Sequence, residues 1–366
     1  MKRTELLMDE KGYAKLINTE LQDLPQYVFY YAQQPLAITT IYQYLSEYRR
    51  FFTWLRTDSG KLGKAPLSSA TKNKNVELSV LEHLRVIDVQ AYLRDEETKI
   101  NKQQSHDSKK TINRTINALR SLFHFLTVTA DLNNGEPYFY RNVMLKVPLQ
   151  KGAKESISYR NEKYGPMLYM GKKKHEWLDF IDKDYENQIS KRALSFFKVN
   201  KERDLAIIAL LLASGIRVSE LARLNLKDLN LKNRSVIVIR KGGQRDAPLI
   251  ADWAIPYIQN YLAIRKERYK PSQNEQALFL SKYGKTKRIA TNTIEKFVSQ
   301  YSQAFPGGQR TTPHKLRHSL GTELFGKSRD VMVVATQLGH TGISATDQYI
   351  QEDKADKQRK TLDSTK

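Results

Sequence analysis

The 366-residue sequence contains no cysteine. That excludes disulfide scaffolds, thiol catalysis and cysteine-based metal sites, and it suits a reducing, cytoplasmic location, the one expected. Long apolar runs are also missing. The longest, Leu205 to Ala213, has nine residues, against the roughly 20 that a membrane-spanning helix requires. It reads as a buried helix instead. The first residues carry acidic side chains and no apolar stretch of signal-peptide type. There is no internal repeat, heptad array or low-complexity tract. No P-loop and no carboxylate cluster is present, so no cofactor and no metal is expected.

Negative charge is the remaining scarcity. Lys and Arg number 61 against 39 Asp and Glu, a formal charge of +22. The excess is not a basic tail. Residues 1–50 hold six basic and six acidic side chains, whereas every later stretch is positive, residues 51–150 and 201–250 each by +5. A basic surface spread along the chain implies a polyanionic partner enclosed by the protein, which points to DNA. Charge alone does not separate a binder from an enzyme.

The length predicts two domains, and the hydrophobic fraction of 40% is enough for real cores. Ile38 to Trp54 places Ile38, Ile41, Tyr42, Leu45, Tyr48, Phe51 and Phe52 at helical spacing, with Arg49, Arg50 and Arg56 among them. Ile112 to Thr127 is a second long amphipathic helix, and Val80 to Leu93 a further one between them. The aromatic residues of this half read as core, and basic residues on its outer faces are expected to meet phosphates. Gln103 to Lys110 reads as a loop. Lys151 to Lys174 shows little periodicity, and its early part supplies the linker, with the boundary near residue 155. Helices resume around Trp177 and again over Glu202 to Ala213. Ser235 to Ile239 is a short β-branched run that Ala247 to Ile250 answers across a Lys241-Gly242-Gly243-Gln244 turn.

Four segments carry groups suited to phosphate chemistry. In Ala213-Ser214-Gly215-Ile216-Arg217-Val218-Ser219-Glu220, a helix ends at a glycine and another starts by Arg217, beside free backbone N–H groups. Glu220, one turn on, would brace that elbow. Lys241 sits on the glycine-rich turn, where a lysine can reach into a groove and donate a proton. Thr312 and Pro313 start a helix that puts His314 and Arg317 on one face near its N-terminus. His318 shares part of that face, but no carboxylate nearby completes a metal site. Gly339 ends a helix before His340, and Ser344 with Asp347 forms a capping box that places Tyr349 early in a new helix. Each residue alone has a plainer explanation: a surface arginine, a solvated turn lysine, one core tyrosine among 20.

Taken together and in order, Arg217, Lys241, His314-x-x-Arg317, His340 and Tyr349 resemble the catalytic pattern of the tyrosine recombinases, the phage integrase family. The surrounding strings ASGIRVSEL, HKLRHS and LGH are similar as well. The chain departs from the pattern at Leu320-Gly321, where Phe-Ala is usual, and at Ile350-Gln351, where Thr-His often follows the nucleophile. The MKRTELLMDEKGY start and the YRRFFTWL helix resemble the single-protein branch of the bacterial Xer recombinases.

The resemblance implies a mainly α fold with a small β-sheet, arranged as a two-domain DNA clamp. Residues 1–155 would form a helical, SAM-like core-binding domain with the linker at its end. Residues 165–350 would form the mixed α/β catalytic domain, and residues 351–366 a tail for subunit exchange. It implies cleavage and rejoining of DNA through a 3′-phosphotyrosyl intermediate at Tyr349, by a homotetramer on two double-stranded DNA sites. It further implies resolution of chromosome dimers at cell division, under a DNA translocase of the division machinery (FtsK-like). The competing readings are a phage or mobile-element integrase, a type IB topoisomerase with the same chemistry, and a non-catalytic DNA-binding regulator.

Overall fold

The computed structural model describes residues 10–59, 65–102, 108–151, 157–240, 242–282 and 287–339. The chain divides into two compact units, Met8–Lys154 and the remainder from Glu155.

The first unit is helical. It contains α1 (Glu10–Leu21), α2 (Gln26–Tyr31), α3 (Ile38–Thr57), α4 (Leu78–Glu82), α5 (Val86–Lys102) and α6 (Ser108–His124). The α3 stripe read from the sequence is the core face: Leu45, Tyr48, Phe51, Phe52 and Leu55 are fully buried. Two of its buried hydroxyls are paired, Tyr48 Oη donating to Ala118 O at 2.9 Å and Tyr31 Oη lying 2.8 Å from Ser121 Oγ. Buried Glu47 binds α3 to α6 through Arg114 Nε at 3.0 Å and Thr115 Oγ1 at 2.9 Å, and it also pairs with Arg50.

Two expectations need correction. The stretch Val80–Leu93 is not one helix, because the chain breaks between α4 and α5. There the Asp88 carboxylate accepts the Arg85 N–H at 2.9 Å and caps a new start. The expected loop also gives way in part, since Ser108–Lys110 form the first turn of α6.

The second unit opens with α7 (Ile157–Tyr164) and α8 (Gly171–Lys183), so the non-periodic stretch has helices after its first residues. Next comes α9 (Lys191–Ser214), whose second half is buried on every side, Leu205 to Ser214 being at most 4% exposed. A helix apolar all round belongs at the centre of a core, and α9 is packed by α8, α11, α12 and α13. Its polar residues are paired: Asp204 accepts Arg203 Nη2 at 2.7 Å and Tyr301 Oη at 2.7 Å. The other helices are α10 (Val218–Arg223), α11 (Ile255–Tyr269), α12 (Thr291–Ala304), α13 (Pro313–Ser328) and α14 (Val331–Leu338).

The β structure is small and differs from the expected hairpin. The Ser235–Ile239 run is divided at Ile237. Strand β2 (Ser235–Val236) pairs antiparallel with β1 (Leu229–Asn230), and β3 (Val238–Ile239) pairs with β4 (Arg245–Asp246). The expected partner segment still touches the run, through a bridge of Ser235 with Leu249 and the Val236 N–H to Pro248 O bond at 3.1 Å. Among the described residues no helix is long and apolar enough to cross a membrane.

Gly215 caps α9 with φ +68°, and a Cβ there would lie 2.5 Å from Leu338 Cδ2 and 2.9 Å from Leu320 Cδ2. Leu320, Phe325, Val334 and Leu338 form a small separate core against this turn. Leu320 therefore packs against the elbow. Gly215→Ala combines left-handed strain of about 1–2 kcal/mol with a clash against two buried leucines. Denaturant unfolding should show at least that loss, and an unchanged midpoint would contradict the packing.

Candidate active site

Four helix ends meet near Gly215. The α9 C-terminus turns through Gly215 into α10, for which Arg217 is the N-cap residue. Glu220, in the first turn of α10, reaches back to this start. Its Oε2 accepts the Arg217 backbone N–H at 2.8 Å and its Oε1 accepts Arg217 Nη1 at 2.8 Å. Glu220 is buried while the Arg217 side chain is 39% exposed. The carboxylate fixes the root of the arginine and leaves its charge in reach of solvent.

Helix α13 starts as read: the Thr312 side chain accepts the Lys315 N–H, and Pro313 takes the first turn. Arg317 is 4% exposed and spans two helix ends, donating from Nη1 to Gly215 O at 2.6 Å and from Nη2 to Leu338 O at 2.5 Å. Thus Arg317 ties α13 to the end of α9 and to the end of α14. Helix α13 is also held from its other flank. Thr311 Oγ1 donates to Met167 O at 2.8 Å, the Tyr169 N–H donates to Ser319 Oγ at 2.9 Å, and buried Lys174 reaches Glu323 at 2.6 Å.

His314 stands at the α13 start on a groove of about 670 Å³, whose other walls include Val218, Ser219, Asn292, Lys296 and Arg310. Desolvation by the surrounding protein, then the charges of Arg317, Lys315 and Arg217, hold its imidazole below the ordinary value of 6.5. The three residues named from the sequence in this region are therefore close enough to act on one another electrically. His318 instead turns inward: it is buried, with Nδ1 3.4 Å from Thr322 Oγ1.

Gly339 caps α14 with φ +61°. Lys241, His340 and Tyr349 lie outside the described residues, as do Ser344, Asp347 and the tail. One residue of the site was missed in the sequence. Arg240, ahead of the turn, is buried and pairs with Glu220 at 2.9 Å and Asp246 at 2.8 Å. A basic side chain ending a β-branched run carries no local mark of such burial.

Two guanidiniums beside an imidazole are groups suited to binding an anion and taking up a proton. A depressed pKa keeps His314 neutral at pH 7, and the sign of its linkage follows. The unfolded chain takes up the proton first as pH falls through 6.5, so the contribution of His314 to stability declines below that value. Removing one positive neighbour should relax the shift. In Arg217→Met the His314 ring should titrate higher than in the parent by NMR, yet still below 6.5, because burial is the larger cause. An unchanged or lower midpoint would break the electrostatic link.

Residues 179–356 match the phage integrase family. The chain is 47% identical over 358 residues to the tyrosine recombinase XerS of Streptococcus agalactiae serotype III, an alignment covering 95% of this chain and 96% of that protein. It is 46% identical over 357 residues to the XerS of Streptococcus uberis, with the same coverage. In fold it is similar to the XerH site-specific recombinase bound to a palindromic difH substrate in a post-cleavage complex. There the TM-score is 0.58 at 19% identity, covering 98% of this chain and 97% of that one. With near full-length identity to named recombinases and a mainly helical two-unit fold, the chain belongs to the tyrosine recombinases, the phage integrase family, and is a site-specific DNA strand-transferring enzyme.

Proposed function

We propose that the chain cuts and rejoins DNA through a 3′-phosphotyrosyl bond at Tyr349, with Arg217, Lys241, His314, Arg317 and His340 as its partners. The observation that carries this reading is the meeting of Arg217, Arg317 and a neutral-leaning His314 on helix ends that hold them in place. Attack on a phosphodiester builds negative charge on the non-bridging oxygens. Two guanidiniums fixed in advance stabilise that charge more in the transition state than in the ground state, and His340 donates a third hydrogen bond. A tyrosine with an ordinary pKa near 10 is a poor nucleophile, and His314 accepts its proton as the O–P bond forms. Lys241 protonates the departing 5′ oxygen. One ester replaces another, so the 5′-hydroxyl of a different strand can reverse the attack and seal the DNA.

In this reading the unit to residue 155 is the core-binding domain, residues 165–350 the catalytic domain, and residues 351–366 the tail exchanged between subunits. The active assembly is a homotetramer on two double-stranded DNA sites. Likeness to XerS over the full length favours resolution of chromosome dimers at cell division, in the cytoplasm and under a DNA translocase, over integration of a mobile element. Cleavage mapping on DNA from around the replication terminus tests that choice, and native mass on site-bearing DNA tests the tetramer.

Tyr349→Phe should abolish covalent protein–DNA adducts on a nicked suicide substrate while site binding in gel shifts stays near the parent level. Adducts persisting in that variant would remove the nucleophile assignment. Arg217→Met should lower single-turnover cleavage by about 10²–10³-fold, the range for losing one oxyanion donor. A loss confined to binding would show that Arg217 only anchors DNA.

A further inference from the structure

We propose that Arg240 is a positioning residue for the proton donor, holding the hairpin that carries Lys241 against the Arg217 elbow and the end of α14. The proposal rests on the reading of Lys241 as the general acid.

The Arg240 side chain is 4% exposed, and its fork reaches three segments, with both Nε and Nη2 against Asp246 Oδ2 at 2.8 Å. Nη1 donates to Glu220 Oε2 at 2.9 Å, in the carboxylate that also holds Arg217. Nε donates to Asp246 Oδ2 at 2.8 Å, across the hairpin on β4. Nη2 points to Gln337 O at 3.3 Å, near the end of α14. The backbone of Arg240 closes the turn as well, its N–H donating to Gln244 O at 2.8 Å and its carbonyl accepting the Gly243 N–H at 3.0 Å. Gly339 completes the enclosure, because a Cβ there would lie 2.5 Å from Arg240 Nε.

Each contact falls close in sequence to a residue assigned to the chemistry. Glu220 follows Arg217 by three, Gln337 precedes His340 by three, and Lys241 is the next residue. An apolar side chain would fill such a buried place at no electrostatic cost, and burying ions in place of apolar groups is often neutral or unfavourable for stability. What the guanidinium adds is direction: a planar fork satisfies two carboxylates and a carbonyl at fixed angles, which a lysine ammonium does not. The Asp246 and Glu220 contacts therefore set the hairpin root relative to Arg217.

The consequence is chemical. When Tyr349 attacks, the P–O5′ bond breaks with its electron pair on O5′, and the Lys241 ammonium gives O5′ a proton and becomes the amine. A hairpin released from the elbow should weaken that transfer selectively. If O5′ is replaced by a bridging sulfur, the leaving thiolate needs no proton, and the loss should be restored.

The test is single-turnover cleavage of mapped site duplexes with oxygen or sulfur at the bridging 5′ position. It compares the parent with Arg240→Met, Arg240→Lys, Asp246→Asn, Lys241→Ala and Arg217→Met. Arg240→Met should be slowed about 10²-fold on oxygen, at the low end of general-acid effects, with most of that loss recovered on sulfur. Arg240→Lys should share the pattern, and Arg217→Met should stay slow on both. Equal losses on both substrates, or none, in Arg240→Met would overturn the proposal. If Arg240→Met does not fold, Asp246→Asn decides, with a smaller but still sulfur-restored loss expected and an unselective one fatal. Lys241→Ala separates the two levels: without sulfur rescue the acid reading itself falls. With rescue there but not in the Arg240 or Asp246 variants, only the positioning role falls.

Discussion

Glu220 is one carboxylate serving three donors, and the site depends on it. It accepts the Arg217 backbone N–H, the Arg217 guanidinium and the Arg240 guanidinium, all within 2.9 Å. Without the shared anion, the elbow and the hairpin would push apart, and two cations would lose their common partner in a buried place. Removing one partner from a buried ion pair costs on the order of 3–5 kcal/mol. The figure is smaller for the Arg217 arm, whose side chain is 39% exposed.

Arg317 is held differently. Its partners are the main-chain carbonyls of Gly215 and Leu338, at the C-terminal ends of α9 and α14, where helix dipoles concentrate partial negative charge. Partial charges orient a guanidinium without cancelling it. Both ends also come close because of glycine. Gly215 and Gly339 take the left-handed turn, and each has a neighbour where a Cβ would sit, Leu338 for one and Arg240 for the other. The two turns are where the α9–α10 elbow, α13 and the hairpin can approach one another.

Much of this was legible because it is local. A helix apolar over nine residues and stopped by Gly215, a Thr312-Pro313 start and a Gly339 stop are each written within a few residues, and the structure follows them. What was not legible is non-local. Two of the three partners of Arg240, Glu220 and Gln337, lie 20 and 97 residues away, and nothing in Arg240-Lys241-Gly242-Gly243 announces burial. The split of Ser235–Ile239 between two partners was hidden for a related reason, since β1 is two residues long and carries no alternation to read. The break before α5 left a faint mark, Asp88 three residues after Arg85. It was overrun by an apolar spacing that continues through the break, because Leu81, Leu84 and Val89 all face the same core.

The arrangement also explains why the positive charge collects without collapsing. Arg217 and Arg240 share Glu220 and Arg240 also pairs with Asp246, whereas Arg317 is held by main-chain carbonyls. Burial first, and then the charges of Arg317, Lys315 and Arg217, hold His314 below its ordinary value. In the proposed reaction a phosphodiester meets guanidiniums that these contacts have already fixed. The repulsion is met by packing and helix ends when the chain folds, so little reorganisation is left for the moment of reaction. In the proposed reaction a bound phosphate offsets only the part of this shift that the cations cause, and burial, the larger cause, remains. As the proposed acceptor of the Tyr349 proton, the imidazole is then the better base.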